Sequence, residues 1–121
     1  MSWFIGYIRS SIGNKMIMAL SGLALVAFAF AHMIGNLQIF IGRDQINGYG
    51  AAMREVPAFL WLARISLVAI VMIHIASAIR LVMANRAARP VSYAMKRHRA
   101  TGYAARTMAY SGLIVFAFIA F

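Results

Sequence analysis

MIMALSGLALVAFAFAHMIGNLQIFI, residues 16–41, is the stretch whose reading decides the fold, and it carries no formal charge. At about 1.5 Å per residue a helix of this length exceeds the roughly 30 Å hydrocarbon core of a bilayer, so it spans with some tilt. A second apolar run, PAFLWLARISLVAIVMIHIASAIRLVMAN, fills 57–85 and is interrupted only by Arg64 and Arg80. Pro57 suits a helix start, because the N–H it lacks has no intrahelical partner there. Asn85 and the basic stretch after it suit a C-terminal end. A third run, 107–121, is shorter than the about 20 residues a span needs. The expectation is an all-α integral membrane helix bundle: one membrane domain over 1–121, with spans at about 16–41, 57–85 and 107–121, the last incomplete. On this reading the chain is the N-terminal part of a longer protein. A signal peptide ending near Ala29 or Ala31 is disfavoured, since its apolar region is about 7–15 residues and this run continues to Ile41.

Composition supports the same class. Of 121 residues 64% are hydrophobic and 12% charged, where a soluble domain has about 45–50% apolar and about 25% charged. The absence of cysteine excludes disulfides, zinc ribbons, iron–sulfur ligation and covalent haem attachment. With Asp44 and Glu55 as the only acids, a paired-carboxylate hydrolase is not available. The net charge of +10 does not point to nucleic acid, because the cations lie between apolar runs instead of along one face. Arg9 and Lys15 precede the first span, and Arg86, Arg89, Lys96, Arg97, Arg99 and Arg106 follow the second. Between the spans Arg43 and Arg54 are offset by Asp44 and Glu55. The Lys/Arg bias predicts a cytoplasmic N-terminus in the cell's inner membrane. Arg89-Pro90 is expected to break the second helix, and residues 2–12 to form a short interfacial helix.

Two of the three histidines lie inside the spans. His98 sits in a KRHR run and reads as part of a solvated basic face. His32 and His74 are ionisable residues at membrane depth, which are costly and mark function by default; the bland alternative is a neutral imidazole satisfied by a neighbouring helix. With no cysteine, non-covalent haem b held by imidazole is the natural cofactor. A different metal centre lacks nearby carboxylates or thiolates. At 100° per residue Ser21, Leu25, Phe28 and Asn36 share the face of His32, with Gly22 and Gly35 at its edges. Ala63, Leu67, Ile70, Ser77, Ala78 and Leu81 share the face of His74. Counted from Met16 and Asn85, His32 lies about 24 Å in and His74 about 16 Å, a difference of about 8 Å. Two trans ligands of one iron need a common line through it, so the count predicts two haems at two depths, each with its second ligand on a later helix.

The stretches SSIGNKMIMALSGL (10–23), HMIGNLQIF (32–40), FLWLARI (59–65), HIASAIRLVMANRAARPVSY (74–93) and YAARTMAYSGLI (103–114) occur in an order that resembles the cytochrome b membrane-anchor subunit of succinate dehydrogenases and fumarate reductases, of the single-subunit, five-helix, dihaem type. The resemblance implies that His32 ligates the distal haem b iron and His74 the proximal one. It places the third ligand just beyond Phe121 and the fourth further on. It implies as partners an iron–sulfur subunit, a flavoprotein subunit and membrane lipid, and as electron acceptor a quinone, menaquinone by the same resemblance. The subunit would pass electrons between the iron–sulfur subunit and that quinone without itself oxidising succinate. Two rivals stand beside it: the cytochrome b anchor of a hydrogenase or formate dehydrogenase, and a non-haem structural or transport subunit.

The remaining candidates have humbler alternatives. Ser21, Phe28 and Ser77 are expected in the haem pockets or in ordinary helix packing. Arg64 is about 80° around from His74 and is placed to meet a propionate, to pair with Glu55 or to snorkel; Arg80 snorkels. Lys15 and Arg106, with Arg89 and Arg99, are propionate partners or topology determinants. Glu55 is a candidate proton carrier for a quinone, or a surface partner of Arg54.

Overall fold

A computed structural model of the chain describes residues 2–88, 91, 94–95 and 101–121. It consists of two compact units, Met1–Ala84 and Asn85–Phe121. Among the described residues every regular element is helical: α1 (Ser2–Arg9), α2 (Ser11–Asn36), a 3-10 turn (Leu37–Phe40), α3 (Arg43–Arg54), α4 (Pro57–Ala87) and α5 (Tyr103–Ala120). Three stretches are long and apolar enough to cross a membrane: Ser11–Phe40, Pro57–Ala87 and Tyr103–Ala120. The chain is an all-α membrane helix bundle.

Chemistry at Ser10 separates α1 from α2. Its backbone is extended (φ −69°, ψ 158°). Its Oγ accepts from the Gly13 N–H at 3.0 Å and donates to the Tyr7 carbonyl at 2.6 Å. The hydroxyl thus satisfies an orphan N–H at the start of α2 and an orphan carbonyl at the end of α1. The interfacial helix expected over 2–12 therefore ends at Arg9, and the first long helix begins five residues before Met16.

At its far end α2 tightens into the 3-10 turn, and the chain reverses at Gly42, whose φ of 150° favours glycine. Helix α3 follows, with Asp44 in its first turn and Arg54 in its last, each complementing the helix dipole. The spacing of Ile46, Gly50 and Met53, all half-buried, gives α3 one inward face. Residues 43–54, read from sequence as a loop, are thus ordered into a helix between the first two spans.

Helix α4 starts at Pro57, as expected, and its 31 residues give it a length of about 46 Å. Its half-buried or buried positions include Leu60, Ala63, Leu67, Ile70, His74, Ser77, Ala78 and Leu81. These recur every three or four residues and contain the whole face predicted for His74. The fully buried residues of α2 and α4 are Gly13, Ser21, Gly35 and Ser77. Among the described residues no apolar side chain is fully buried. Small residues let helices approach where lipid, not water, surrounds them. The large apolar side chains face outward, as in Leu23, Phe30, Trp61 and Val68.

In the second unit α5 starts after Gly102. Thr107 Oγ1 and Ser111 Oγ bond back to the carbonyls of Tyr103 and Met108, each at 3.1 Å, which satisfies both hydroxyls within the helix. Arg89, Pro90, Lys96, Arg97, His98 and Arg99 lie outside the described residues.

Candidate functional site

His74 is the better-defined of the two histidines. Its ring is half-buried and reaches across from α4 to α2, with Nδ1 3.0 Å from Ser21 Oγ. Ser21 is 8% exposed, and its Oγ is also 2.7 Å from the Ile17 carbonyl and 3.1 Å from that of Met18. A hydroxyl has one proton, and a carbonyl has none to give. If the 2.7 Å contact takes the Ser21 proton, Nδ1 of His74 donates to Oγ and Nε2 holds the lone pair; in the opposite tautomer Ser21 Oγ donates to Nδ1. Among the described residues no hydrogen bond occupies Nε2.

Gly22 makes this approach possible. A Cβ there would stand 3.1 Å from His74 Cε1, closer than side-chain carbons normally pack. Ser77, one turn from His74 on α4, is 4% exposed. The helical-wheel reading assigned Ser21 to His32. The structure assigns it to His74, because a wheel projects away height and the two helices run in opposite directions.

His32 lies near the other end of α2. Ser21 precedes it by eleven positions, about 16 Å of helix. The ring stacks on Phe28, one turn earlier, with centroids 5.5 Å apart at 25°. Asn36, one turn later, donates from Nδ2 to the His32 carbonyl at 2.7 Å. The same Nδ2 is 3.2 Å from the Nδ1 and 3.3 Å from the Nε2 of the ring. In the ring plane that equidistance would drop it onto Cε1, so it sits over the ring face. Neither in-plane lone pair is consumed by this contact.

Beside His32 a cavity of about 490 Å³ opens between α2, α3 and α4, lined by Phe28, Ala31, His32, Tyr49, Met53, Phe59, Leu60 and Ala63. Its lining is mostly apolar, and one side of it stands open. Tyr49 and Met53 were not among the sequence candidates; Met53 lies on the half-buried face of α3 with Ile46 and Gly50. The Tyr49 hydroxyl packs where a Cβ of Gly35 would be, at 2.8 Å. Gly35→Ala is therefore expected to swing Tyr49 aside and loosen α3 from α2. Faster hydrogen exchange of the α3 amides, with α4 unchanged, checks this; unaltered α3 exchange contradicts it.

Imidazole ligation of haem fits both histidines, since each leaves a ring nitrogen available at membrane depth. They stand on opposite sides of an axial offset of about 16 Å, larger than the about 8 Å counted from the span ends. Each is therefore placed to supply one ligand at its own level. Among the described residues no three His, Cys, Asp or Glu side chains cluster as a metal site.

The other candidates are scattered. The Arg64 guanidinium lies 5.4 Å from the Trp61 ring centroid on its own helix, with no ion pair to Glu55 among the described residues. Glu55 ends α3, its N–H bonded to the carbonyls of Ala51 and Ala52, and is exposed. Lys15 is exposed on the first turns of α2. In the second unit the Arg106 guanidinium lies 5.8 Å from the Tyr103 ring centroid. No family model, curated protein or solved structure matches the chain.

Proposed function

We propose that this chain belongs to a haem b-holding membrane anchor of a succinate:quinone oxidoreductase, carrying electrons between an iron–sulfur subunit and a membrane quinone. The observation that carries the haem assignment is the 3.0 Å contact of His74 Nδ1 with Ser21 Oγ, which engages that nitrogen and leaves Nε2 without a hydrogen-bond partner among the described residues. His32, on the first span and at another level, supplies the second ligand position. The succinate assignment, the flavoprotein and iron–sulfur partners and menaquinone rest on the ordered resemblance from SSIGNKMIMALSGL to YAARTMAYSGLI.

Bound haem would supply reversible one-electron chemistry. This chain's residues do the holding. Ser21 orients the His74 ring, Gly22 gives it room, and Phe28 and Asn36 fix the His32 ring between successive turns of α2. His74 is half-buried between α2 and α4, and burial is one of the levers that set a haem's potential. Glu55 and Arg64 are the candidates for proton supply and propionate pairing.

The test is a reduced-minus-oxidised spectrum of the purified full-length protein in detergent. Two b-type haems, with absorbance that follows His32 and His74 substitutions, support the reading; no haem Soret band sinks it. Orientation is tested separately, using the absence of native cysteine. With the N-terminus cytoplasmic, Gly48→Cys in α3 should react with an impermeant maleimide in intact cells whose outer barrier is permeable to it. Thr101→Cys should react only after the inner membrane is opened. Reversed reactivity would invert the topology.

A further inference from the structure

Ser21 lies ten residues into the first span, and ordinary helix packing would be satisfied by alanine or glycine there. A hydroxyl at this depth is a polar group that needs a reason. Its Oγ lies 2.7 Å from the Ile17 carbonyl; with its single proton directed there, what it offers across the helix contact is an acceptor. The group facing it at 3.0 Å is His74 Nδ1. An imidazole in an apolar setting otherwise exchanges between two neutral tautomers, only one of which has its lone pair on Nε2. At the adjacent position Gly22 allows the ring to come within 3.1 Å of where a side chain would begin. Hydroxyl and missing side chain together form a seat for one orientation and one tautomer of His74.

We propose that Ser21 is a positioning residue: by accepting the Nδ1 proton it holds His74 with the lone pair on Nε2 and raises the electron-donating power of that nitrogen. The importance of this for a metal rests on the ligation proposed above; the tautomer itself does not. Partners of the second ring nitrogen fix ligand orientation and raise ligand basicity, and their loss costs about 10–100-fold in metal affinity. A more basic ligand favours the oxidised iron. Removing the acceptor should therefore move the midpoint potential upward.

The experiment compares wild type, Ser21→Ala and Ser21→Thr as the full-length protein in lipid nanodiscs. Two readouts are taken on each: the ring-proton position of His74 by nitrogen-15 NMR of labelled histidine, and the potential and retention of each haem by optical redox titration. Wild type should carry the proton on Nδ1. Ser21→Ala should release His74 to a tautomer mixture wherever the ring is unligated. Where haem is bound, it should raise the potential of the His74-linked haem alone and weaken its retention about 10–100-fold. Threonine, whose hydroxyl bonds the same helical carbonyl, should restore both. The His32-linked haem and the helical circular dichroism serve as internal controls for folding.

The failures separate. An Nδ1 proton in wild type that is lost in Ser21→Ala, with no haem on either, upholds the role of Ser21 and defeats the haem reading. Haem bound through His74 with the same potential and retention in all three variants defeats the role of Ser21 and leaves the haem reading intact. A wild-type ring protonated on Nε2 overturns the proposal outright.

Discussion

His74→Ala is expected to remove one haem b from the full-length protein and leave the other in place. The reasoning is geometric. His74 meets α2 at Ser21 and Gly22, whereas His32 faces a cavity whose α4 lining is Phe59, Leu60 and Ala63. Ala63 precedes His74 by eleven positions, about 16 Å of helix. The same figure arises on α2 between Ser21 and His32, so the two counts close on one register. One iron cannot draw ligands from levels that far apart. Deleting the imidazole also leaves no stranded donor, since the Ser21 hydroxyl keeps its bond to the Ile17 carbonyl at 2.7 Å. The loss should thus be confined to one site. Haem extracted per mole of protein should fall by about half, and His32→Ala should remove the complementary half of the spectrum. An unchanged haem content in His74→Ala removes that residue from the ligand set. Loss of both haems from either variant would mean one shared site and would contradict the register.

Gly13→Ala should have the largest effect on the architecture without touching a histidine. Gly13 is buried, and a Cβ there would collide with the backbone carbonyl of Tyr7 and stand 3.1 Å from Ile8 Cα. A clash with a flexible side chain is relieved by a rotamer change; a clash with backbone is relieved only by moving the element. Helix α1 must then leave α2, taking the Tyr7 carbonyl away from the Ser10 hydroxyl. Overpacking of this kind costs about 1–3 kcal/mol. Trypsin should cut after Arg9 much faster in Gly13→Ala than in wild type, while the His74–Ser21 contact and haem content hold. Equal cleavage rates would show that α1 accommodates the methyl group.

Much of this fold is legible in the sequence, and its limits are physical. The spans at 16–41 and 57–85 are uncharged or nearly so over more than twenty residues, and no other structure satisfies such a backbone in lipid. The inward face of α4 follows from periodicity alone, and stacking of Phe28 on His32 follows from four-residue spacing. Helix α3 is different: its 12 residues hold four glycines or alanines beside Arg43, Asp44 and Arg54, too polar for a span and too short for a clear period. Tyr49 and Met53 were hidden with it. Register is the other gap. A count from the ends of apolar runs assumes that both helices enter the membrane at one plane. Here α2 begins at Ser11, because Ser10 caps it, and α4 continues to Ala87. That shift hid the pairing of Ser21 with His74, which hydropathy cannot see and a hydroxyl with one proton decides.

Burial in this chain is inverted relative to a water-soluble protein. Gly13, Ser21, Gly35 and Ser77 are enclosed, while Phe30, Trp61 and Leu62 stand outside. Lipid tails scarcely distinguish leucine from isoleucine, valine or phenylalanine, so the bulky majority of the chain is free to drift. The constraint collects instead where side chains are smallest. Two descendants of one ancestor could trade most of their outward residues and keep the same helix contact, so long as a hydroxyl and a few hydrogen atoms in place of methyl groups were inherited unchanged. For a scaffold of this kind, ancestry is recorded in what the side chains leave empty.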